Sequence, residues 1–156
     1  MRVVIRRFHV ADAPRVCEIF YRSVHEVARA KYDQAQIDAW APKVPDPALW
    51  VDRLCEYDTF VAENGGGEIV AWIAMSNAGY IDMLFCLPEA AGRGVASQLY
   101  TAVEDAALGR GLTYLTAHAS LLAQSFFAKH GWVIERQEAL VRNGVTIPRA
   151  EMSKLL

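Results

Sequence analysis

The chain has 156 residues, of which 53% are hydrophobic and 22% charged, which suits one domain with a full core and excludes a disordered chain. Lysine and arginine number 16 against 18 aspartates and glutamates, a formal net charge of −2 with no basic run, so nucleic acid is not an expected partner. Three widely spaced cysteines, Cys17, Cys55 and Cys86, offer neither a disulfide framework nor a metal-ligand spacing and fit reduced thiols in a cytoplasm.

The N-terminal stretch MRVVIRRFHV is too short and too charged for a signal peptide, and no apolar run nears the roughly 20 residues of a membrane span. Val3 to Phe8 reads as a first strand. Asp12 is placed to cap a helix over 13–30, with Pro14 in its first turn and Val16, Ile19, Phe20, Val24 and Val27 at helical spacing. A second helix spans Asp33 to Trp40. Beyond Pro42 and Pro45, Asp46 is expected to cap a third helix over 47–57 that buries Leu49, Trp50 and Leu54.

Strands follow over 59–63 and 68–76, joined by Asn64-Gly65-Gly66-Gly67, a strong hairpin signal. The next strand is 79–87, which makes three antiparallel strands in series. A helix over 93–109 places Leu99, Val103 and Ala106 on one face. Leu112 to Ala117 is a short strand, parallel to the one before the helix because a crossover separates them. Ser120 is read as the cap of a helix over 121–130, and 132–141 and 145–155 form a last hairpin around Asn143-Gly144.

The centre of the chain is Leu84 to Leu99, LFCLPEAAGRGVASQL. An apolar strand stops at Pro88, Gly92-Arg93-Gly94 follows, and a helix begins. The first turn of a helix has N–H groups without partners, at the positive end of the helix dipole, and binds anions. Gly92 and Gly94 let the backbone approach such a ligand, because no Cβ intervenes.

Ala91-Gly92-Arg93-Gly94-Val95-Ala96 resembles the acyl-CoA pyrophosphate loop of the GNAT superfamily of N-acyltransferases, Gln/Arg-x-x-Gly-x-Gly/Ala. The opening Gln/Arg is replaced by Ala91. Ala123 to Trp132 resembles a second motif of the family, A-x-x-F-Y-x-x-x-G-F, and the element order matches over nearly the whole chain. The resemblance implies a single α+β domain over residues 1–156, an α/β/α sandwich. Its mixed, mostly antiparallel sheet would be splayed at the acyl-CoA site, with helices on both faces.

The same resemblance implies acetyl-CoA as co-substrate, without a metal. Backbone N–H groups of Gly92, Arg93, Gly94, Val95, Ala96 and Ser97 would hold the pyrophosphate, with the side chains of Arg93 and Ser97 as candidate additions. The backbone of Leu84, Phe85 and Cys86 would pair with the pantetheine beside a β-bulge. Ser120 would lie near the pantetheine and Phe127 against the coenzyme. A covalent intermediate on Cys86 is not expected, since the family transfers directly.

An attacking amine must lose its proton, so a base near neutral pKa is useful. Asp82 is the one acid on the strand before the loop and is the leading candidate, with Tyr80 two residues earlier on its face in a regular strand. His118, at the end of its strand, is a candidate proton shuttle. The tyrosine that serves as acid in the family motif is Phe127 here and has no proton to give. Tyr32 and Trp40 lie on the acceptor side.

The function implied is acetyl transfer to a primary amine of a small molecule or peptide, without nucleic acid or membrane as partner and with a homodimer left open. The alternatives are an acyl-CoA-binding sensor without turnover and transfer of a larger acyl group.

Overall fold

The computed structural model describes residues Met1–Leu156. Seven strands form one sheet in the order β1-β2-β3-β4-β5-β7-β6: β1 (Val4–Arg7), β2 (Asp58–Glu63), β3 (Ile69–Met75), β4 (Tyr80–Cys86), β5 (Tyr114–Ser120), β6 (Val133–Arg142) and β7 (Val145–Leu155). All neighbours are antiparallel except β4 and β5. That exception follows from the crossover between them, α4 (Val95–Gly109). The remaining helices are α1 (Ala13–Glu26), α2 (Gln34–Trp40), α3 (Val51–Glu56) and α5 (Gln124–Lys129). The sandwich is as expected. No helix is long and apolar enough to cross a membrane.

The core lies on both faces of β3, whose seven residues are all buried. Helix α1 covers one face of β3 and β4 with Val16, Ile19, Phe20 and Val24. On the other, α4 covers β1 to β4 with a stripe of Leu99, Tyr100, Val103 and Ala107, while the expected Ala106 is only half-buried.

Several expected boundaries are displaced. Asp12 does not cap α1. Its carboxylate instead takes a bidentate pair from Arg6 at 2.8 and 3.0 Å and the His9 N–H at 2.8 Å, and charge-assisted pairs of this kind outcompete a cap. Helix α1 ends at Glu26, and a 3-10 turn over Ala28–Ala30 tucks Ala28 into the core. Asp46 caps only a 3-10 turn over Pro47–Leu49, through the Ala48 N–H. The break before α3 turns Leu49 outward, to 79% exposure, while Leu54 stays buried. Helix α4 starts at Val95 rather than at residue 93. Strand β5 runs on to Ser120, because pairing with β7 continues from Tyr114↔Leu155 to Ser120↔Arg149. Its helix α5 begins correspondingly late, at Gln124.

Asp58 at the start of β2 is buried at 2% exposure and binds Arg110 at 2.6 Å and Arg7 at 3.0 Å. Burial pushes its pKa up, but the hydrogen bonds from Arg110 and Arg7 prevail and hold the carboxyl below the usual range. A depressed folded-state pKa gives stability that is present above the unfolded value of about 3.9 and lost as pH falls further, through the folded value. Asp58→Asn is therefore expected to cost about 2 kcal/mol at pH 7. The gap from the parent should close as the pH is lowered below about 4, as followed by urea unfolding across pH.

Candidate functional site

Strands β4 and β5 pair only at the start of β4, Tyr80 with Thr116 and Ile81 with Ala117. The cause lies on the other edge of β4. Ala74 of β3 pairs with Met83 and Met75 with Ile81, so Asp82 is an extra residue without a partner. Such a bulge bends its strand and increases its twist. From Met83 to Cys86 the strand leans on β3 alone, and its backbone edge faces a gap. The bulge and the splay stand where the sequence reading put them.

Below the gap the chain makes a 3-10 turn over Pro88–Ala90, then Gly92 at φ +71° and Gly94 at φ +79° before α4. Both glycines are in the left-handed region, which glycine alone enters freely. An added Cβ would meet nothing within 4 Å at either, so conformation and not space selects glycine here. From Gly92 to Ser97 no backbone N–H has an acceptor in the protein, and the first helical bond is Gln98 N–H to Gly94 O. Six donors are thus free at the dipole-positive end of a 15-residue helix. The Ser97 hydroxyl contacts His130 Nε2 at 3.2 Å. Burial, and then Lys154, lower the His130 pKa, so the ring is neutral at pH 7. Arg93 is exposed and makes no ion pair.

Two cavities open on this region. One, of about 250 Å³, runs from α1 past Phe85, Cys86, Gly92 and Ala96 to Phe126. The other, of about 340 Å³, lies between α1–α3, the start of β4 and the β6–β7 hairpin. They share Trp40, Leu84, Phe85, Ser120 and Ala123, so they meet at the gap. Burial pushes the Cys86 thiol up to about 11, which leaves it protonated at neutral pH and a poor nucleophile.

The larger cavity gathers Asp82, Tyr80 and His118. Asp82 has Arg53 as a loose ionic neighbour, 3.7 Å away. His118 faces the cavity from within β5, not from its end, on the same side as Ser120. Its Nδ1 contacts Glu138 Oε1 at 2.6 Å, and Arg149 Nε donates to the same oxygen at 2.8 Å. Desolvation raises the Glu138 pKa, but the bonds from His118 and Arg149 prevail and hold the carboxyl below its usual range. Tyr80 lies edge-on to His118, with ring centroids 5.7 Å apart. Burial and then the Asp82 charge raise its pKa, so the phenol keeps its proton.

Phe127 is buried and packs on Trp132 at 4.7 Å. It lines the larger cavity, whereas its neighbour Phe126 lines the smaller one. Phe127→Leu removes some buried volume and is expected to cost about 1–2 kcal/mol of stability. It should leave the alkaline limb of the pH profile of kcat/KM in place, because the side chain carries no proton.

Arg53, Glu138, Arg142 and Arg149 were not foreseen from the sequence. They come from α3 and the last hairpin, and no spacing rule links segments so far apart. A second unforeseen cluster sits under α4. There Trp132 Nε1 donates to the Tyr100 hydroxyl at 3.0 Å, Tyr100 donates to Glu104, and Lys154 pairs with Glu104 at 2.9 Å.

A splayed mixed sheet with a free row of N–H groups at the start of its crossover helix is the architecture of acyl-CoA-dependent transferases, and the comparisons agree. The sequence model of the GNAT acetyltransferase domain matches residues 28–156. The chain is 33% identical over 142 residues to YafP, an uncharacterized N-acetyltransferase of Escherichia coli, covering 91% of this chain and 89% of that one. A GCN5-related N-acetyltransferase from Rhodopseudomonas palustris superposes with a TM-score of 0.92 at 31% identity, over 100% of this chain and 97% of the other. The PaiA N-acetyltransferase of Thermoplasma acidophilum, crystallised with coenzyme A, has the same fold at a TM-score of 0.79 and 15% identity, over 100% of both chains. The chain belongs to the GNAT acetyltransferase family.

Proposed function

We propose that this acyltransferase moves an acetyl group from acetyl-CoA to a primary amine by direct attack, as one domain. The observation that carries the reading is the run of six unpartnered N–H groups from Gly92 to Ser97, a fit for a pyrophosphate. The smaller cavity takes the pantetheine along the open edge of Leu84, Phe85 and Cys86, as an added strand would. The PaiA relative was crystallised with coenzyme A, in keeping with this donor. Ser120 lies where the two cavities join.

The amine enters from the larger cavity. Asp82, directly or through water, takes one proton from the ammonium, and the freed lone pair attacks the thioester carbonyl carbon. The tetrahedral intermediate loses the second proton from its nitrogen and collapses with cleavage of the C–S bond to give the amide, and the thiolate leaves and takes up a proton. Tyr80, which stays protonated, is a donor for that step. His118, oriented by Glu138, is a second carrier of protons to solvent. Holding both reactants at the junction supplies much of the acceleration.

Thiol release from acetyl-CoA, measured with a panel of primary amines, tests the reading. Turnover with an amine supports it. Tight CoA binding without turnover of any amine would make the protein an acyl-CoA sensor instead.

A further inference from the structure

The larger cavity has a composition that restricts its occupant. Its walls are aromatic, with Phe20, Trp40, Trp50 and Phe85 among them, and its ionic groups are mainly cationic. Three guanidinium groups, of Arg53, Arg142 and Arg149, line the space against one carboxylate, that of Asp82. Their donors are largely unspent. Arg149 uses only Nε, towards Glu138. The Arg142 side chain makes no ion pair and no hydrogen bond. Arg53 rests on the Trp50 ring at 5.5 Å, and its Nε is buried without a hydrogen-bond partner. Its terminal nitrogen approaches Asp82 only to 3.7 Å, beyond hydrogen-bond length.

A polycationic acceptor, such as a polyamine or a lysine-rich tail, would meet three arginines offset by only two carboxylates, Asp82 and Glu138. A plain monoamine would leave Arg53 and Arg142 without a close anion. The loose Arg53–Asp82 pair is complementary to a molecule that carries an ammonium and an anion side by side. In an α-amino acid these groups sit on one carbon, through bonds of about 1.5 Å each. Its ammonium can face Asp82 while its carboxylate takes the fork of Arg53, a planar pairing that arginine favours. The two-partner exchange would replace one loose contact by two close ones.

On this basis we infer that the acceptor is a zwitterionic α-amino acid or a close analogue with an apolar or aromatic body, its carboxylate held by Arg53 within the field of Arg142 and Arg149. The inference rests on the larger cavity being the acceptor site, as proposed above. Because it concerns the acceptor alone, it can fail while acetyl transfer stands.

The test uses the full chain and matched sets that differ only at the anion: phenylalanine, phenylalaninamide and 2-phenylethylamine, with the same sets for leucine and tryptophan. Two readouts are taken, kcat/KM by thiol release and equilibrium binding to the CoA-saturated protein by calorimetry. In the best set the free acid should exceed both partners by at least about 10-fold in each readout. The amide has the less basic amine, so intrinsic reactivity works against this outcome. Arg53→Gln should reduce the ratio to near one, while Arg53→Lys, which keeps charge without the fork, should retain part of it. Equal or better use of the amide, with turnover intact, would overturn the inference and leave acetyl transfer standing. Failure of every free acid to bind would overturn it as well. Failure to bind CoA would instead strike the donor site.

Discussion

Asp82→Asn is expected to lower kcat/KM by about 10²-fold or more, with CoA affinity and melting temperature nearly unchanged. The substitution keeps size and polarity and removes basicity. Little stability is at risk, because the contact to Arg53 is 3.7 Å long and half-exposed on the Arg53 side, and pairs of this kind contribute about 0–1 kcal/mol. The backbone of the bulge carries no requirement for a carboxylate. The loss should shrink for acceptors whose amines are already deprotonated at neutral pH, since they need no base. Steady-state rates against a series of amine pKa values measure this directly. Full activity in Asp82→Asn would transfer the role of base to His118, whose Nδ1 is already held by Glu138. Unfolding would mean that the carboxylate is structural.

Gly94→Asp should weaken CoA binding by about 10²-fold, through roughly 3 kcal/mol of repulsion between like charges a few ångströms apart at a protein surface. The fold should survive. Nothing lies within 4 Å of the added Cβ, and aspartate tolerates the φ of +79° better than most residues. A carboxylate at a helix N-cap is itself favourable to the helix. Gly94→Ala, which adds strain without charge, is the control and should lose much less. Calorimetry with CoA and thermal melts of both variants separate the charge effect from any folding defect. Unchanged CoA affinity in Gly94→Asp would remove the pyrophosphate from this loop.

What the sequence revealed and what it hid divide along physical lines. Turn chemistry at Asn64-Gly65 and Asn143-Gly144, together with the glycine loop before α4, marks local structure, and each stands where the residues indicated. A bulge in this strand was expected from resemblance alone, but its position at Asp82 was not, since nothing in YIDMLFC announces an extra residue. Helix ends were less readable, because Asp12 and Asp46 are good caps whose use depends on partners. Arg6, distant in space until β1 forms, takes Asp12 for itself. The arginines of the larger cavity were hidden for the same reason. Arg53 and Arg149 are 96 positions apart, and only the closed sheet makes them neighbours of one space.

The meeting of the two cavities also fixes which substitutions interact. Changes that share no partner and lie more than about 7–10 Å apart combine additively, within a few tenths of a kcal/mol. A substitution in the hairpin wall at Arg142 and one in the loop at Gly92 border different cavities and are expected to combine in that way. Trp40, Leu84, Phe85, Ser120 and Ala123 border both, so on the proposed assignment of the cavities a change at any of them is expected to alter donor and acceptor together. New acceptor preferences can therefore be built on α1–α3 and the last hairpin one residue at a time. The five shared positions must be varied jointly, as a single unit of epistasis.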